Sequence, residues 1–464
     1  MAARFRLTSL VLVAVLVAVL AAPAMPRANA ASAPFVIDAL RTLQKNYVDT
    51  LAAAPLLNAA LAAAEKRADA QPFGGPISPT ASDDRAISLF TQRFAEIASQ
   101  VADKVTETDL AYAATAGMLD SLHDSHTGFV PPALYQEIKR RETGQAAFSG
   151  VGIVLLHRDD QYYISEIYPG GPAEQAGVRV FDRVLAVDGH ATADLNDDHV
   201  SQMIRGTAGS RVTLTLLRPG AADPVDVAIV RGQIHVPTVT DRMLPGDIGY
   251  VRLYEFVPGV GTSVRKAMLG LRGDGMRGMV LDLRGNPGGL VSELRDVSAA
   301  ILPAGSPVLQ MRTRSGRNFV MQTPVQPVVP AGLPIIVLVD ESTASAAELL
   351  SAAIQEQGRG IVEGTKTAGA VEVGITIDLP EGAGMSVTVA RVLTGKGVRL
   401  EGQGVLPDTT ESLTSQAMNA GRDSQLDRAI EILNTRFGIG SSRGGTKPKL
   451  TPSNGFVLPA APAA

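Results

Sequence analysis

A serine lies where the sequence changes abruptly from a strand pattern to a helix pattern. Ile335 to Val339 is a short apolar run rich in β-branched residues, which indicates a buried strand. From Ala346 to Gln357 apolar residues recur at helical spacing, and Gly358 follows as a stop. Ser345 is therefore predicted at the N-terminal end of a helix, where free N–H groups can stabilise an oxyanion. The same pattern also fits a helix-capping serine.

Strand and helix patterns alternate around this turn. Ile248 to Leu253 and Met279 to Leu283 are typical of strands, and Val260 to Leu271 and Leu290 to Ile301 are typical of helices. This alternation predicts an α/β core, residues 240–437, with a mixed sheet flanked by helices.

The N-terminal segment has the order of a secretory signal peptide. Arg4 and Arg6 precede an apolar run from Leu10 to Ala22, and Ala28-Asn29-Ala30 follows. The run is shorter than the roughly 20 residues that span a bilayer. We expect residues 1–30 to be removed and the mature chain to be exported, with a retained membrane anchor as the alternative.

Three further segments complete the organisation. Residues 31–135 show helical spacing that ends at Pro131-Pro132, so they are predicted to be a helical N-terminal region. Residues 140–235 carry strands around a short helix, in an order that resembles a PDZ domain, a β-sandwich or barrel. Residues 438–464 are rich in Gly, Ser, Pro and Lys and are predicted to be a disordered tail.

Composition excludes several classes of function. The chain of 464 residues has a formal net charge of −4, and no basic patch indicates nucleic acid as a partner. It contains no cysteine, which excludes disulfides, thiolate catalysis and cysteine-ligated metals. We expect no cofactor. His123 and His126 are close enough in sequence to share a metal, but no third ligand is evident, so no metal site is predicted.

Four blocks, in order, resemble the tail-specific, or carboxyl-terminal-processing, serine peptidases. They are Met118 to Pro132, the PDZ-like segment from Phe148 to Arg231, Met279 to Glu293, and the serine turn continued through Asp408. The resemblance implies an α+β multidomain fold and a serine peptidase.

The resemblance also implies how the PDZ domain recognises a ligand. Such domains hold a peptide's terminal carboxylate in a glycine-containing loop and add its backbone to a sheet edge. The residues implied here are Ser149, Gly150, Val151, Gly152 and Ile153. Phe181 replaces a glycine that is usual in the family. A lid that holds no ligand is the alternative.

A serine hydroxyl needs a base, and the resemblance implies two options. In one branch the base is a lysine at the position that Ala370 occupies here, and Lys366 lies four residues too early. In the tricorn-type and retinoid-binding branch a T-A-G-A string, matched by Thr367 to Ala370, accompanies a histidine base. That branch implies His126 as the base, because Leu122 to His126 matches its L-x-D-x-H block.

The same branch implies the remaining site residues. A serine before the histidine and a late glutamate orient the base, which implies Ser125 and Glu401. The oxyanion donors are a glycine N–H after the Met279–Leu283 strand and the N–H after the serine. These are Gly288 or Gly289, together with Ala346.

We therefore predict an exported serine endopeptidase that cleaves proteins or peptides with free C-termini near those termini. A catalytically inactive peptidase-fold binding protein is one alternative, and a Ser345–Lys366 dyad peptidase is another. Homo-oligomerisation is left open, as is membrane proximity if the N-terminal segment is retained.

Overall fold

The computed structural model describes residues 32–72, 74–101, 104–142 and 148–438. Within these ranges the chain is α+β and multidomain, so the predicted fold class is confirmed. The predicted signal segment and residues 439–464 of the predicted tail lie outside the described residues. Among the described helices, none has both the length and the apolar content that a membrane crossing requires.

The N-terminal region is helical, and its helices share a core. In the first helix the apolar residues recur at i, i+3 and i+4, so one face is buried. In the fourth helix, Thr106 caps the N-terminal end by accepting the Asp109 N–H. The helices are α1 (Ala33–Asn46), α2 (Ala53–Ala68), α3 (Asp83–Val101) and α4 (Glu107–Asp120).

A short strand and a helix connect this region to the PDZ domain. The elements from here to the end of that domain are β1 (Gly128–Val130), α5 (Pro132–Glu142), β2 (Phe148–Gly150), β3 (Ile153–Arg158), β4 (Gln161–Ile167), α6 (Pro172–Gln175), β5 (Arg183–Val187), β6 (His190–Ala191), α7 (Asp197–Ile204), β7 (Arg211–Leu217), β8 (Val225–Val230) and β9 (Gly232–Ile234). The PDZ sheet has the order β3-β4-β5-β7-β8, with β6 on β5, while β2 pairs with β9. β3 is an edge strand of its sheet, as peptide addition requires.

The predicted α/β core contains two sheets. Its elements are β10 (Val239–Leu244), β11 (Ile248–Leu253), α8 (Val260–Gly273), β12 (Gly278–Asp282), α9 (Val291–Ile301), β13 (Pro307–Thr313), β14 (Asn318–Gln322), β15 (Ile335–Val339), α10 (Ala346–Glu356), β16 (Ile361–Gly364), β17 (Val373–Asp378), a 3-10 turn (Pro380–Gly382), β18 (Gly384–Thr394), β19 (Thr409–Thr410), α11 (Ser415–Asn419) and α12 (Ser424–Arg436).

The first core sheet positions the serine turn. Its order is β10-β11-β12-β15-β16-β19, and every pair except β10–β11 is parallel. Helices α8, α9 and α10 pack on one face and α12 packs on the other, so β12 and β15 are wholly buried. Because β12 and β15 are parallel neighbours, the turns after them meet at the same edge of the sheet.

The second core sheet brings distant segments together. Its order is β1-β18-β13-β14, with β17 also paired with β18. Strand β1 pairs with β18 in antiparallel register, with Gly128 opposite Ser386. The apolar residues Met385 and Val387 of β18 share a buried cluster with helices α1 to α4. The sheet therefore docks the N-terminal region, including the segment just before β1, onto the predicted α/β core.

Candidate active site

The serine turn is strained and held by side chains. Ser345 caps α10 with φ 55° and ψ −119°, a left-handed conformation that costs a non-glycine residue about 1–3 kcal/mol. Its own N–H donates to Glu348 Oε2 at 3.0 Å, and the preceding Ala344 N–H donates to the Asn286 carbonyl at 2.9 Å. These bonds hold Ser345, which is half-buried, at the edge of the sheet.

The glycine turn after β12 lies against the serine. A Cβ on Gly288 would be 2.5 Å from Ser345 Cβ, so only glycine allows this approach. The Gly288 N–H donates to Asn286 Oδ1 at 2.8 Å. Within the described chain, the Gly289 and Ala346 N–H groups have no hydrogen-bond acceptor, so both are available to an oxyanion.

One carboxylate joins the two turns. Asp340 Oδ1 accepts the Gly285 N–H at 2.9 Å from the glycine turn and the Ser342 N–H at 3.1 Å from the serine turn. Thr343 strengthens the joint, because its hydroxyl contacts both Asp340 and the carbonyl at the end of β12. The serine turn and the glycine turn therefore form one hydrogen-bonded unit.

The second sheet brings Ser125, His126 and Glu401 together. His126 Nε2 lies 3.4 Å from Glu401 Oε2, within ion-pair distance, and makes no hydrogen bond with the described residues. The Ser125 hydroxyl donates to Glu401 Oε1 at 3.3 Å, although the two residues are 276 apart in sequence. The N–H groups of Val371 and Glu372 donate to Glu401 Oε2 at 2.8 and 3.2 Å. Glu401 is therefore held in place by the residues that follow the T-A-G-A turn.

Electrostatics favour a charged imidazole. Burial alone acts to lower the pKa of His126, but the Glu401 carboxylate opposes it, helped by Asp124 and Glu372, and the net pKa is raised. Burial acts to raise the pKa of Glu401, but the His126 contact and the Val371 N–H outweigh it, and its net pKa is lowered. Both directions describe an imidazolium–carboxylate pair.

His126, the predicted base, is anchored by residues that sequence reasoning missed. Asp124 Oδ1 accepts the His126 N–H at 3.0 Å and the Thr388 hydroxyl of β18 at 2.9 Å. Its Oδ2 accepts the Tyr47 hydroxyl at 2.8 Å, and burial together with this carboxylate raises the pKa of Tyr47 to about 12. Asp124 is the aspartate of the L-x-D-x-H block, so its presence there was the available signal.

The T-A-G-A turn connects the Ser345 helix to the Glu401 that faces His126. Thr367 and Ala370 are both hydrogen-bonded to Glu348 of the serine helix, while Lys366 just before them is exposed. Ser345 and His126 are not hydrogen-bonded to each other, and catalytic hydrogen bonds are often open in a protein without substrate. Glu348 was also missed from the sequence, although Ser345-x-x-Glu348 has the spacing of a capping box.

The loop from Ser149 to Ile153, predicted to bind a peptide's terminal carboxylate, is held in place by hydrogen bonds to its carbonyl groups. The carbonyls of Val151 and Gly152 accept N–H groups of Ala173 and Tyr168, at 2.8 and 2.9 Å. Phe181 adopts φ 70°, the left-handed conformation for which glycine is usual. Its ring is buried with Tyr163 and with Met418 of α11, which offsets the strain and joins the PDZ domain to the core.

The structure also shows the position of His123, the residue close enough in sequence to share a metal with His126. His123 is exposed and has φ 50°, at the turn that follows α4. In the described ranges, no group of three or more His, Asp or Glu side chains is arranged to hold a metal ion.

Known proteins share both the fold and the order of segments. Residues 247–410 match the model of peptidase family S41, and residues 163–218 match that of the PDZ domain. A carboxyl-terminal-processing protease of Picosynechococcus sp. is 32% identical over 70% of this chain and 79% of its own length. The carboxy-terminal processing protease CtpA of Bacillus subtilis is 29% identical over 72% of this chain and 71% of its own.

A solved structure agrees. The photosystem II D1 C-terminal processing protease superposes with a TM-score of 0.50 and 25% identity, covering 84% of this chain and 99% of its own. A S41 protease structure from Bacteroides fragilis, 16% identical, has a TM-score of 0.53 over 68% of this chain and 88% of its own, which supports the fold. The chain therefore belongs to peptidase family S41, the C-terminal-processing serine peptidases.

Proposed function

We propose that this serine peptidase is an exported endopeptidase that cleaves proteins near free C-termini through an acyl-enzyme on Ser345. His126 is the general base, and Glu401 and Ser125 orient it. The observation that carries this proposal is the placement of a half-buried His126–Glu401 pair across the T-A-G-A turn from the nucleophile. The lysine dyad has less support, because Lys366 is exposed and Ala370 stands where a lysine base would be.

The geometry supports the following steps. Ser345 Oγ attacks the scissile carbonyl carbon and passes its proton to His126. Because Nε2 faces Glu401, the proton goes to Nδ1. The negative charge on the carbonyl oxygen is stabilised by the Ala346 N–H at the start of α10 and by the Gly289 N–H. His126 then protonates the leaving amine, and a water molecule, deprotonated by His126, hydrolyses the ester.

Recognition of the C-terminus is assigned to the PDZ domain. The loop from Ser149 to Ile153 leads into β3, an edge strand that can add a peptide backbone to the sheet. Relatives named for C-terminal processing support this substrate class. The substrates proposed are proteins or peptides with free C-termini.

A covalent probe tests the proposed chemistry. A fluorophosphonate should label the wild-type protein at Ser345 and leave Ser345→Ala unlabelled, because the adduct forms on the nucleophile. An unfolded protein with a free C-terminus should be cleaved. A C-terminal amide should bind more weakly by about 1–3 kcal/mol, because a charge-assisted hydrogen bond is lost. A wild-type protein that neither labels nor cleaves would instead indicate a binding protein.

Export rests on the N-terminal pattern and has its own test. Mass spectrometry of the native protein should find a mature N-terminus at Ala31, outside the cytoplasm. An intact N-terminus on membrane-bound protein would favour a retained anchor.

A further inference from the structure

Glu348 has an unusual position for an acidic residue, because it is fully buried beside the nucleophile. It lies in the first turn of α10, with no exposed surface. Its two carboxylate oxygens accept four hydrogen bonds from groups on two segments of the chain. These donors are the Ser345 N–H, the Thr367 hydroxyl, the Gly369 N–H and the Ala370 N–H.

The four bonds connect the nucleophile to the T-A-G-A turn. Oε2 accepts the Ser345 N–H at 3.0 Å and the Ala370 N–H at 2.9 Å, so one atom joins the two segments. Oε1 accepts the Thr367 hydroxyl at 2.5 Å and the Gly369 N–H at 2.7 Å. The Glu348 side chain therefore joins the serine to the turn, beside one backbone hydrogen bond in which the Ala368 N–H donates to the Thr343 carbonyl at 3.0 Å.

The T-A-G-A turn also leads into the residues that hold Glu401, the carboxylate that faces His126. The residues directly after Ala370 are Val371 and Glu372, whose N–H groups both donate to Glu401. A continuous path of hydrogen bonds thus runs from Ser345 through Glu348, the turn and Glu401 to the His126 ion pair. Ser345 has no direct bond to His126, so this path, together with the β1–β18 pairing, connects the two residues.

Three partners of Glu348 are backbone N–H groups, which can only donate, and the fourth is a hydroxyl, which can donate or accept. A carboxylate accepts from all four. A glutamine would direct its NH₂ group at one or two of the backbone N–H groups, whichever way the amide was turned. The site therefore requires the charge as well as the shape of glutamate.

We infer that Glu348 is a positioning residue, which sets the alignment of Ser345 with the His126–Glu401 pair. The inference rests on the proposed serine–histidine mechanism. In the described hydrogen bonds, the Glu348 carboxylate contacts the Ser345 N–H and not the Ser345 hydroxyl, so its effect is on geometry rather than on proton transfer. A helix-capping role alone would explain the bond to Ser345, but not the three bonds to the T-A-G-A turn.

Helix α10 offers a matched control at its other end. Glu356 also accepts a threonine hydroxyl, that of Thr394, and a backbone N–H, that of Lys396 at 3.1 Å. It is eight residues further along the same helix and far from Ser345. Glu348→Gln and Glu356→Gln make the same chemical change at the two ends.

The test compares kinetics, pH dependence and stability of the full-length variants. Glu348→Gln should lower kcat by about 100-fold or more and leave KM within about threefold. The acidic limb of kcat/KM should move to lower pH, because a loosened turn releases Glu401 from His126. Glu348→Asp keeps the charge and should recover part of kcat. Glu356→Gln should keep the wild-type kcat and pH profile, whatever its effect on Tm.

The outcomes separate this inference from the proposed function. If the wild type is active and Glu348→Gln retains its kcat and pH profile, the positioning role is overturned. If Glu348→Gln is too unstable to assay, Glu348→Asp decides, and a wild-type kcat with a lowered Tm for that variant also overturns the role. If the wild type itself is not labelled by a fluorophosphonate, the proposed function fails first.

Discussion

The two halves of the candidate site are built in different ways. The nucleophile half, Ser345 with Gly288, Gly289 and Ala346, comes from turns after two adjacent parallel strands, β12 and β15. The base half, Ser125, His126 and Glu401, comes from segments separated by 276 residues and joined by the second sheet. The nucleophile half is thus part of the folding core, whereas the base half depends on docking between distant segments. Changes to the base half should therefore reduce the rate more than the stability.

The largest expected effect is on the base. His126→Ala should lower kcat/KM by about 10³- to 10⁵-fold, because Ser345 then has no proton acceptor. Lys366→Ala should change it little, since Lys366 is exposed. Steady-state hydrolysis of an unfolded protein with a free C-terminus measures both. If Lys366→Ala were inactive and His126→Ala active, the base would be Lys366 and not His126.

The next effect concerns the acid of the base half. Glu401 stabilises the imidazolium and raises the pKa of His126, so the deprotonated base appears only above the ordinary pKa of His. In Glu401→Gln burial dominates and the pKa of His126 falls. The acidic limb of kcat/KM should therefore shift to lower pH, while the plateau drops by about 10²- to 10⁴-fold.

A pH–rate profile of Glu401→Gln against wild type measures this shift. Ser125→Ala, which removes a hydroxyl but keeps the carboxylate, is the control and should move the limb less. If the acidic limb of kcat/KM were unchanged in Glu401→Gln, Glu401 would not be the residue that raises the pKa of the base.

A smaller effect is expected when a new base, a lysine, is introduced at position 370, close to the nucleophile half. The Ala370 and Ser345 N–H groups donate to the same oxygen of Glu348, so the two residues are close. A lysine at position 370 has a four-carbon stem and can reach Ser345 Oγ. Ala370→Lys in the His126→Ala background should recover activity by about tenfold or more, with an alkaline pH optimum.

The control for this experiment is Ala370→Met in the same background, because methionine fills similar space without an amine. Equal rates for the lysine and methionine variants would show that position 370 does not face the nucleophile.

The smallest expected effect is on the free energy of unfolding. It concerns Glu363 on β16, the strand that pairs with β15 of the nucleophile half. Glu363 of β16 is buried, and its carboxyl oxygens have no partner among the described residues. Burial raises its pKa from 4.5 to about 8. Between those pH values the unfolded chain loses the proton and the folded chain keeps it, so the free energy of unfolding falls as pH rises.

Glu363→Gln cannot ionise and should lose this slope, with a gain of about 1–3 kcal/mol over wild type at pH 8. Urea unfolding at several pH values measures it, and Glu107→Gln, at an exposed site, is the control. A parallel pH dependence in wild type and Glu363→Gln would mean that Glu363 is not the group responsible.

The sequence predicted the nucleophile half better than the base half, and the reason is the range of the interactions. Strand Ile335–Val339 and the start of α10 at Ala346 are confirmed, because their patterns depend on neighbours a few residues away. The pairing of β1 with β18 was not predicted, because strand partners hundreds of residues apart leave no local signal. The residues of the base half were named only through resemblance to a family.

The side chains that support the site were the least predictable. The hydrogen bonds of Glu348, Asp124 and Asp340 depend on backbone groups of other segments, whose positions exist only in the fold. Phe181 shows the same limit. The resemblance implied a glycine at this position, whereas the left-handed conformation of Phe181 and its packing against Met418 are seen only in the fold.

The pairing of β1 with β18 also has a consequence for the order in which the protein is made. As the chain emerges from its N-terminus, the serine turn can form once α10, which follows β15, has emerged. His126 precedes a strand whose partner, Ser386, is 258 residues after Gly128. Glu401 follows later still. On the proposed mechanism, a chain that has emerged only in part, during synthesis or export, therefore has the nucleophile without an assembled base, and becomes able to cut other proteins only when its core is almost complete.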